Sequence, residues 1–309
     1  MARLGRCSPA PGRPVVTPGT GRTAPRDRRF STGAPSSQPA PPDLPEGLAA
    51  LIGDVEAVPE LVWVAPRSEV WRYESTAGVR YVKWAAPGPQ VAEVQGEVER
   101  LAWLADTLPP DAGLVVPSVL GAAVREDAWL VTEAVAGLQA TDPIHLMTSP
   151  EGLADLVGRS LRRLHDALPV EGCPYSARVD RLVTSAEARL AAGGLVAEDL
   201  PAPFTGRDPA EAVAWLAAHA PDEPGPDLVV AHGDPSLPNF LLNAVDEPVG
   251  LVDLGRLGVS DRHRDLAIVV RSFAANFGPE LVWRLTDAYG LPTPSAVRLE
   301  WYRIADDLV

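Results

Sequence analysis

Apolar residues recur at two different periods along this chain, and the period tells strand from helix. Val70-Trp71-Arg72-Tyr73 and Val79-Arg80-Tyr81-Val82-Lys83-Trp84 alternate two by two. The turn formers between them end at Gly78, which predicts a β-hairpin. The spacing then opens to three and four. Val94, Val98, Leu101 and Leu104 share one face and predict a helix over 94–105. A helix ahead of the hairpin and two more strands, around 113–119 and 129–133, complete a small lobe. After residue 134 helical spacing dominates, predicting helices over 151–168, 178–192, 209–220, 264–276, 279–289 and 296–307. Leu153, Leu156, Val157, Leu161 and Leu164 form the core stripe of the first of these. One apolar hairpin interrupts the helices, with Phe240-Leu241-Leu242 going out and 249–252 returning. The expected fold class is α+β: a small sheet-containing lobe over 45–133, a mainly helical lobe over 134–309, and a cleft between them.

Composition changes the picture at the N-terminus. Residues 1–44 are rich in Pro, Gly, Ser and Arg and almost devoid of large apolar side chains. Such a segment cannot repay the entropy of ordering, so a disordered extension is expected. It has no apolar stretch of the secretory kind, and no segment of the chain reaches the ~20 apolar residues of a membrane span. A cytoplasmic monomer with no membrane partner is expected. The remaining chain is long enough, at 46% hydrophobic residues overall, to bury a large core.

Charge narrows the range of partners. The formal net charge is −14, but the first 42 residues hold seven Arg and one Asp, so the rest carries about −20. That balance argues against a nucleic-acid partner for the body of the chain and favours a cationic ligand. Asp199, Asp208, Glu211, Asp222 and Glu223 are candidate cleft acids. The two cysteines, Cys7 and Cys173, allow no disulfide framework or zinc spacing. His145, His165 and His219 read as surface residues.

The chemistry sits in residues 232–255, HGDPSLPNFLLNAVDEPVGLVDLG. Asp234, Asn239 five residues later, and Asp253 at the end of the hairpin form a phosphoryl-transfer set. One carboxylate stands beside an attacking hydroxyl, and two oxygen ligands hold Mg²⁺ on nucleotide phosphates. Pro235 and Pro238 keep the first segment a loop. A tight hairpin brings Asp253 back beside Asn239. The chain has 26 arginines and one lysine, Lys83, on the second strand of the first hairpin. A compact ammonium is suited to the α- and β-phosphates. On the following helix Glu97 is the residue expected to hold it, with Glu93 and Glu99 left to solvent.

These motifs resemble the aminoglycoside 3'-phosphotransferases, small-molecule kinases with a bilobal protein-kinase-like fold. The resemblance covers about residues 45–309. It is carried by HGDPSLPNFLLN at 232–243, VDLGRLGVSDRHRDLAIVVRS at 252–272, GEVERLAWL at 96–104, LRRLHDALPVEGCPY at 161–175 and RLEWYRIADDLV at 298–309. It implies ATP and Mg²⁺ as cofactors and a cationic aminoglycoside as acceptor, with transfer to its 3'-hydroxyl and antibiotic resistance as the outcome. It also implies roles. Asp234 orients or deprotonates the hydroxyl, and Asn239 and Asp253 bind Mg²⁺. Lys83 contacts phosphates, Glu97 holds Lys83, and Ser68 sits over the phosphates. The backbone of Thr132 and Ala134 meets adenine. Arg256, Asp306, Asp307 and Val309 belong to the antibiotic site. Two departures touch acceptor choice: the tail lacks the family's aromatic end, and Ala275 replaces a common acid. The alternative is a kinase of the same fold acting on another small alcohol or antibiotic, such as a macrolide or an amino-alcohol metabolite.

Overall fold

The alternating segments of the first third pair into one antiparallel sheet. The computed structural model describes residues 39–142, 144–145, 149–223, 225–243 and 248–309, so most of the expected 1–44 extension lies outside the described residues. Strands β1 (Glu60–Ala65), β2 (Ser68–Ser75), β3 (Gly78–Ala85), β5 (Val119–Val124) and β6 (Ala128–Glu133) stand in the order β1-β2-β3-β6-β5. The two-residue period sorts their side chains. Trp71, Val82 and Val131 face the short helix α1 (Glu46–Ile52), where Leu48 and Ile52 complete a core. Val70, Lys83 and Leu130 are cross-strand partners on the opposite face. Helix α2 (Gln90–Thr107) packs under that face and buries Val94, Glu97, Leu101 and Leu104.

Two expectations need correction here. Strand β1 was not foreseen, because 61–64 is a continuous apolar run without alternation, and its pairing with β2 is bulged between Leu61 and Trp63. The strand expected at 113–119 is split by Pro117, which has no N–H to offer a ladder. Only β4 (Leu114–Val115) forms before it, and it pairs in parallel with β10 (Val249–Leu251), outside the first sheet.

The chemistry-bearing hairpin is β9 (Phe240–Leu242) and β10, in register Leu241↔Gly250 and Phe240↔Leu251. With β4 and β7 (Leu138–Gln139) it makes a small four-stranded sheet, β4-β10-β9-β7. Strands β8 (Leu228–Ala231) and β11 (Gly258–Asp261) form a separate ladder that brackets the catalytic loop.

Around these lie helices α3 (Pro150–Ala167), α4 (Val179–Ala191), α5 (Pro209–Ala218), α6 (His263–Phe277), α7 (Val282–Tyr289) and α8 (Ala296–Leu308). Ser149 and Asp208 cap α3 and α5 through their side chains. Helices α3 and α7 touch backbone to backbone at Gly158, where a Cβ would lie 2.3 Å from the Leu285 carbonyl oxygen. A second apolar cluster, including Leu182, Phe204, Leu216, Trp301 and Tyr302, fixes α8 against α4 and α5. Among the described residues no helix is long and apolar enough to cross a membrane.

Candidate active site

Lys83 points into the space below the first sheet because Val82, its neighbour, is committed to the core on the other face. Its Nζ donates to Glu97 Oε2 at 2.6 Å and to Asp253 Oδ1 at 2.9 Å. Glu97 is 5% exposed, set into the apolar face of α2. Burial pushes the Lys83 ammonium toward losing its proton, but Asp253 and Glu97 outweigh it and raise its pKa, so it stays cationic. A fixed positive charge therefore stands beside the residue expected to bind metal.

The catalytic loop leaves β8 at His232, which is fully buried. Gly233 follows at φ +92, and a Cβ there would meet the Arg256 carbonyl oxygen at 2.2 Å, so only glycine fits. Asp265, in the first turn of α6, accepts the His232 N–H at 2.6 Å and the Gly233 N–H at 2.9 Å. Burial lowers the pKa of His232 and keeps it neutral, so its Nδ1 can accept the Asp234 N–H at 3.3 Å. The loop is thus anchored at both residues preceding Asp234, whose side chain lines the cleft. A single 3-10 turn over Leu237–Asn239 then reverses the chain. Asn239 Nδ2 donates to the Asp234 carbonyl at 2.8 Å and to Ser236 Oγ at 3.2 Å, so Oδ1 is the side-chain atom that could accept a ligand.

The β9–β10 hairpin closes the set. The Val252 N–H donates to the Asn239 carbonyl at 3.1 Å, and Asp253 follows at φ +59, a left-handed backbone uncommon for a non-glycine residue. Such an outlier beside functional side chains is held by its surroundings. Asn239 and Asp253 supply oxygen donors suited to a Mg²⁺ that arrives on nucleotide phosphates. Among the described residues no cluster of three His, Cys, Asp or Glu forms a cage for a metal held by protein alone.

The far end of the same cleft, about 700 Å³ in volume, is walled by α8. Asp306 lies 2.9 Å from Arg256 Nη1 and is bonded by Arg271, which also reaches Asp307 at 3.1 Å. Burial pushes the Asp306 carboxyl up, but Arg256 and Arg271 more than offset it and hold it below the usual carboxylate range. Asp307 has the weaker support, and burial raises it. Arg189 of α4 donates to the main-chain oxygen of Val309 at 2.9 Å and to that of Asp307 at 3.3 Å, bracing the end of α8.

Most of the expected site residues meet in this one cleft: Lys83, Glu97, Thr132, Asp234, Asn239, Asp253, Arg256, Asp306, Asp307 and Val309. Two do not. Ser68 opens β2 with its hydroxyl donating to the Trp84 carbonyl at 3.0 Å, and at 4% exposed it is not among the residues lining the cleft. Ala134 is also outside the lining, and its N–H donates to the Val79 carbonyl at 3.3 Å. None of the five acids expected near the cleft lines it, and three are used elsewhere: Asp208 caps α5, Glu211 pairs with Arg207 and Glu223 with Arg178.

Other participants were not anticipated. Asp265 and Arg271 lie inside the family-like 252–272 motif without a role assigned to them, and Arg189 lies outside every motif. His165, expected on the surface, is 6% exposed and bonded on both ring nitrogens. Its position in the apolar stripe of α3, one residue after Leu164, was the available signal.

A cationic lysine, two oxygen ligands and a loop carboxylate in one cleft define the class: a kinase-like enzyme of phosphoryl transfer. Comparisons with known proteins agree. The sequence matches the model of the phosphotransferase enzyme family over residues 66–299. An aminoglycoside 3'-phosphotransferase of Streptomyces fradiae is 35% identical over 72% of this chain and 82% of its own length. A streptomycin 3''-kinase of Streptomyces griseus is 34% identical over 88% of this chain and 98% of its own. The aminoglycoside phosphotransferase APH(3'')-Id of Streptomyces rimosus, solved with ADP and streptomycin, superposes with a TM-score of 0.66 at 29% identity, covering 84% of this chain and 95% of that one. The chain belongs to the phosphotransferase enzyme family.

Proposed function

We propose that the protein transfers the γ-phosphate of ATP, carried as its Mg²⁺ complex, to the 3'-hydroxyl of an aminoglycoside, and so inactivates the antibiotic. The observation that carries this reading is the shared cleft. Asp234 lines the same cleft as the Lys83–Glu97–Asp253 charge cluster and the Arg256–Asp306–Asp307 wall. Lys83 and the oxygens of Asn239 and Asp253 orient the triphosphate, and Mg²⁺ held there would offset the charge developing on the transferred group. Thr132 and Glu133 line the nucleotide end. Asp234 accepts a hydrogen bond from the attacking hydroxyl and fixes its line of approach. Asp307 offers a partly exposed carboxylate to an acceptor ammonium, while Asp306 is committed to two arginines.

A second reading has a specific motive. The relatives named for streptomycin match this chain over nearly their full length. The acceptor hydroxyl would then be the 3''-hydroxyl of streptomycin. Nucleoside-diphosphate release with Mg²⁺-ATP tests both readings, with kanamycin and neomycin beside their 3'-deoxy counterparts, streptomycin as a further acceptor and Asp234→Ala as the blank. Release with kanamycin and neomycin, absent with the deoxy compounds, is expected. Release with streptomycin alone moves the assignment to the double-prime ring. Release with no aminoglycoside overturns the acceptor class and leaves macrolides and amino alcohols to be tried. Near-normal turnover by Asp234→Ala overturns the mechanism.

A further inference from the structure

A chain of buried polar groups runs from the back of the helical lobe to the catalytic loop. His165 of α3 sits between two partners. Its Nδ1 lies 2.8 Å from the Tyr289 hydroxyl of α7, and its Nε2 lies 2.9 Å from Asp265 Oδ2 of α6. Asp265 and Tyr289 are both fully buried. The Asp265 carboxylate accepts from three donors: His165 and the His232 N–H on Oδ2, and the Gly233 N–H on Oδ1. Neither His165 nor Tyr289 lines the cleft.

We infer that His165 and Tyr289 are positioning residues for phosphoryl transfer: they fix the Asp265 carboxylate, and through two backbone N–H groups that carboxylate fixes where Asp234 stands. The inference rests on the proposed role of Asp234. The geometry leaves little slack. Gly233 is pressed against the Arg256 carbonyl in a left-handed conformation, so a displaced Asp265 shifts the peptides immediately before Asp234. A shift of about 1 Å in a reacting group costs on the order of 100-fold in rate.

The chemistry fixes the direction of each hydrogen bond. Burial raises the pKa of the Tyr289 hydroxyl above the ordinary phenol range, so it keeps its proton and donates. The Asp265 carboxylate only accepts, so the ring hydrogen resides on Nε2 and Nδ1 is left to accept from Tyr289. Burial pushes the Asp265 carboxyl up, but the hydrogen bonds from His165 and from the Gly233 N–H help bring its pKa below the ordinary carboxylate range, so it remains an acceptor for all three donors. Tyr289 thus supports the ring tautomer that can hold Asp265. Removing His165 leaves a buried carboxylate one donor short, a costly state that is relieved by movement or protonation.

Three variants separate this role from a merely structural one. His165→Phe keeps the ring volume and removes both nitrogens. His165→Gln returns a donor near the Nε2 position. Tyr289→Phe removes only the hydroxyl. For His165→Phe, kcat per nucleotide-binding site should fall roughly 10- to 100-fold with KM for nucleotide and acceptor little changed, since the loss is confined to the transition state. His165→Gln should recover most of that loss. Hydrogen exchange of the 232 and 233 amides, read on the enzyme without substrates, should accelerate in His165→Phe while the β8 and α6 amides stay protected. Should His165→Phe not fold, Tyr289→Phe carries the same two readouts at smaller amplitude. Unchanged kcat in the folded variants, or unchanged exchange at 232 and 233, overturns the inference. If instead Asp234→Ala keeps turnover, the role of Asp234 fails, while the exchange result still reports on the anchor itself.

Discussion

Lys83 and Asp306 are both ionised groups drawn out of bulk water, and each survives there because its partners are fixed before it is charged. Lys83 has two carboxylates, one of which, Asp253, is also a metal ligand in the proposed mechanism. Asp253→Ala is therefore expected to weaken Mg²⁺-nucleotide binding by about tenfold or more, because a charged hydrogen bond and a metal ligand are lost together. Calorimetric titration with and without Mg²⁺ checks it, and a metal-independent loss would remove Asp253 from the metal site. For Asp306 the folded pKa lies below the unfolded one, so its contribution to stability is fully present above the unfolded value, about 3.9, and disappears as pH falls through the folded value. The gap in denaturant stability between the wild type and Asp306→Asn should be wide at pH 7 and should close at acid pH. A gap that stays constant would contradict the pairing. That Asp234, Asn239, Asp253 and Lys83 would meet in one cleft was legible in sequence, because their motifs are local. Asp265 and His165 were not, because their roles come from tertiary hydrogen bonds over 32 to 100 positions. Ser68 shares a strand face with Val70, but its hydroxyl is spent on the Trp84 carbonyl, a tertiary bond that its place beside a turn does not announce.

Elements were more legible than their partners. Helical period placed α3, α4, α5, α6 and α8 within one or two residues, because each has a continuous apolar stripe to bury. The misses fell where an element's neighbour decides its fate. β1 exists because β2 offers an edge, and β4 pairs with β10 because Pro117 turns the chain away from the first sheet. The α3–α7 crossing makes the same point in energy. At Gly158 the obstructing atom is a backbone carbonyl of Leu285, which cannot swing aside as a side chain can. Gly158→Ala should cost about 1–3 kcal/mol, the usual range for overpacking, partly offset by the better helix propensity of alanine. Chemical denaturation measures this directly, and an unchanged midpoint would mean that the helices separate freely. Because Tyr289 sits on α7 and His165 on α3, the same crossing also registers the two ends of the buried hydrogen-bond chain.

At the scale of the molecule, one sheet supplies the Lys83 cation, one loop Asp234 and Asn239, the end of one hairpin Asp253, and helix α8 the acidic wall. No single segment holds the site, so cleft geometry had to come from the fold, while alternation, helical period and motif spacing already indicated which pieces would supply it. The acidity read from composition was only partly informative. Much of the negative charge is spent on caps and arginine pairs away from the cleft. The scarcity of lysine has a more pointed consequence. Because the chain carries 26 arginines and one lysine, it presents a single side-chain amine to any acylating reagent, and that amine lines the cleft beside Asp253. Covalent inactivation should therefore be a one-hit process: residual activity should fall in proportion to acyl groups found on Lys83 by mass spectrometry, and bound nucleotide should protect both. For a cell metabolite that acylates amines without an enzyme, such a protein offers one target where most proteins offer dozens, and that target sits behind Glu97 and Asp253, open to attack only while the ammonium is briefly released from them.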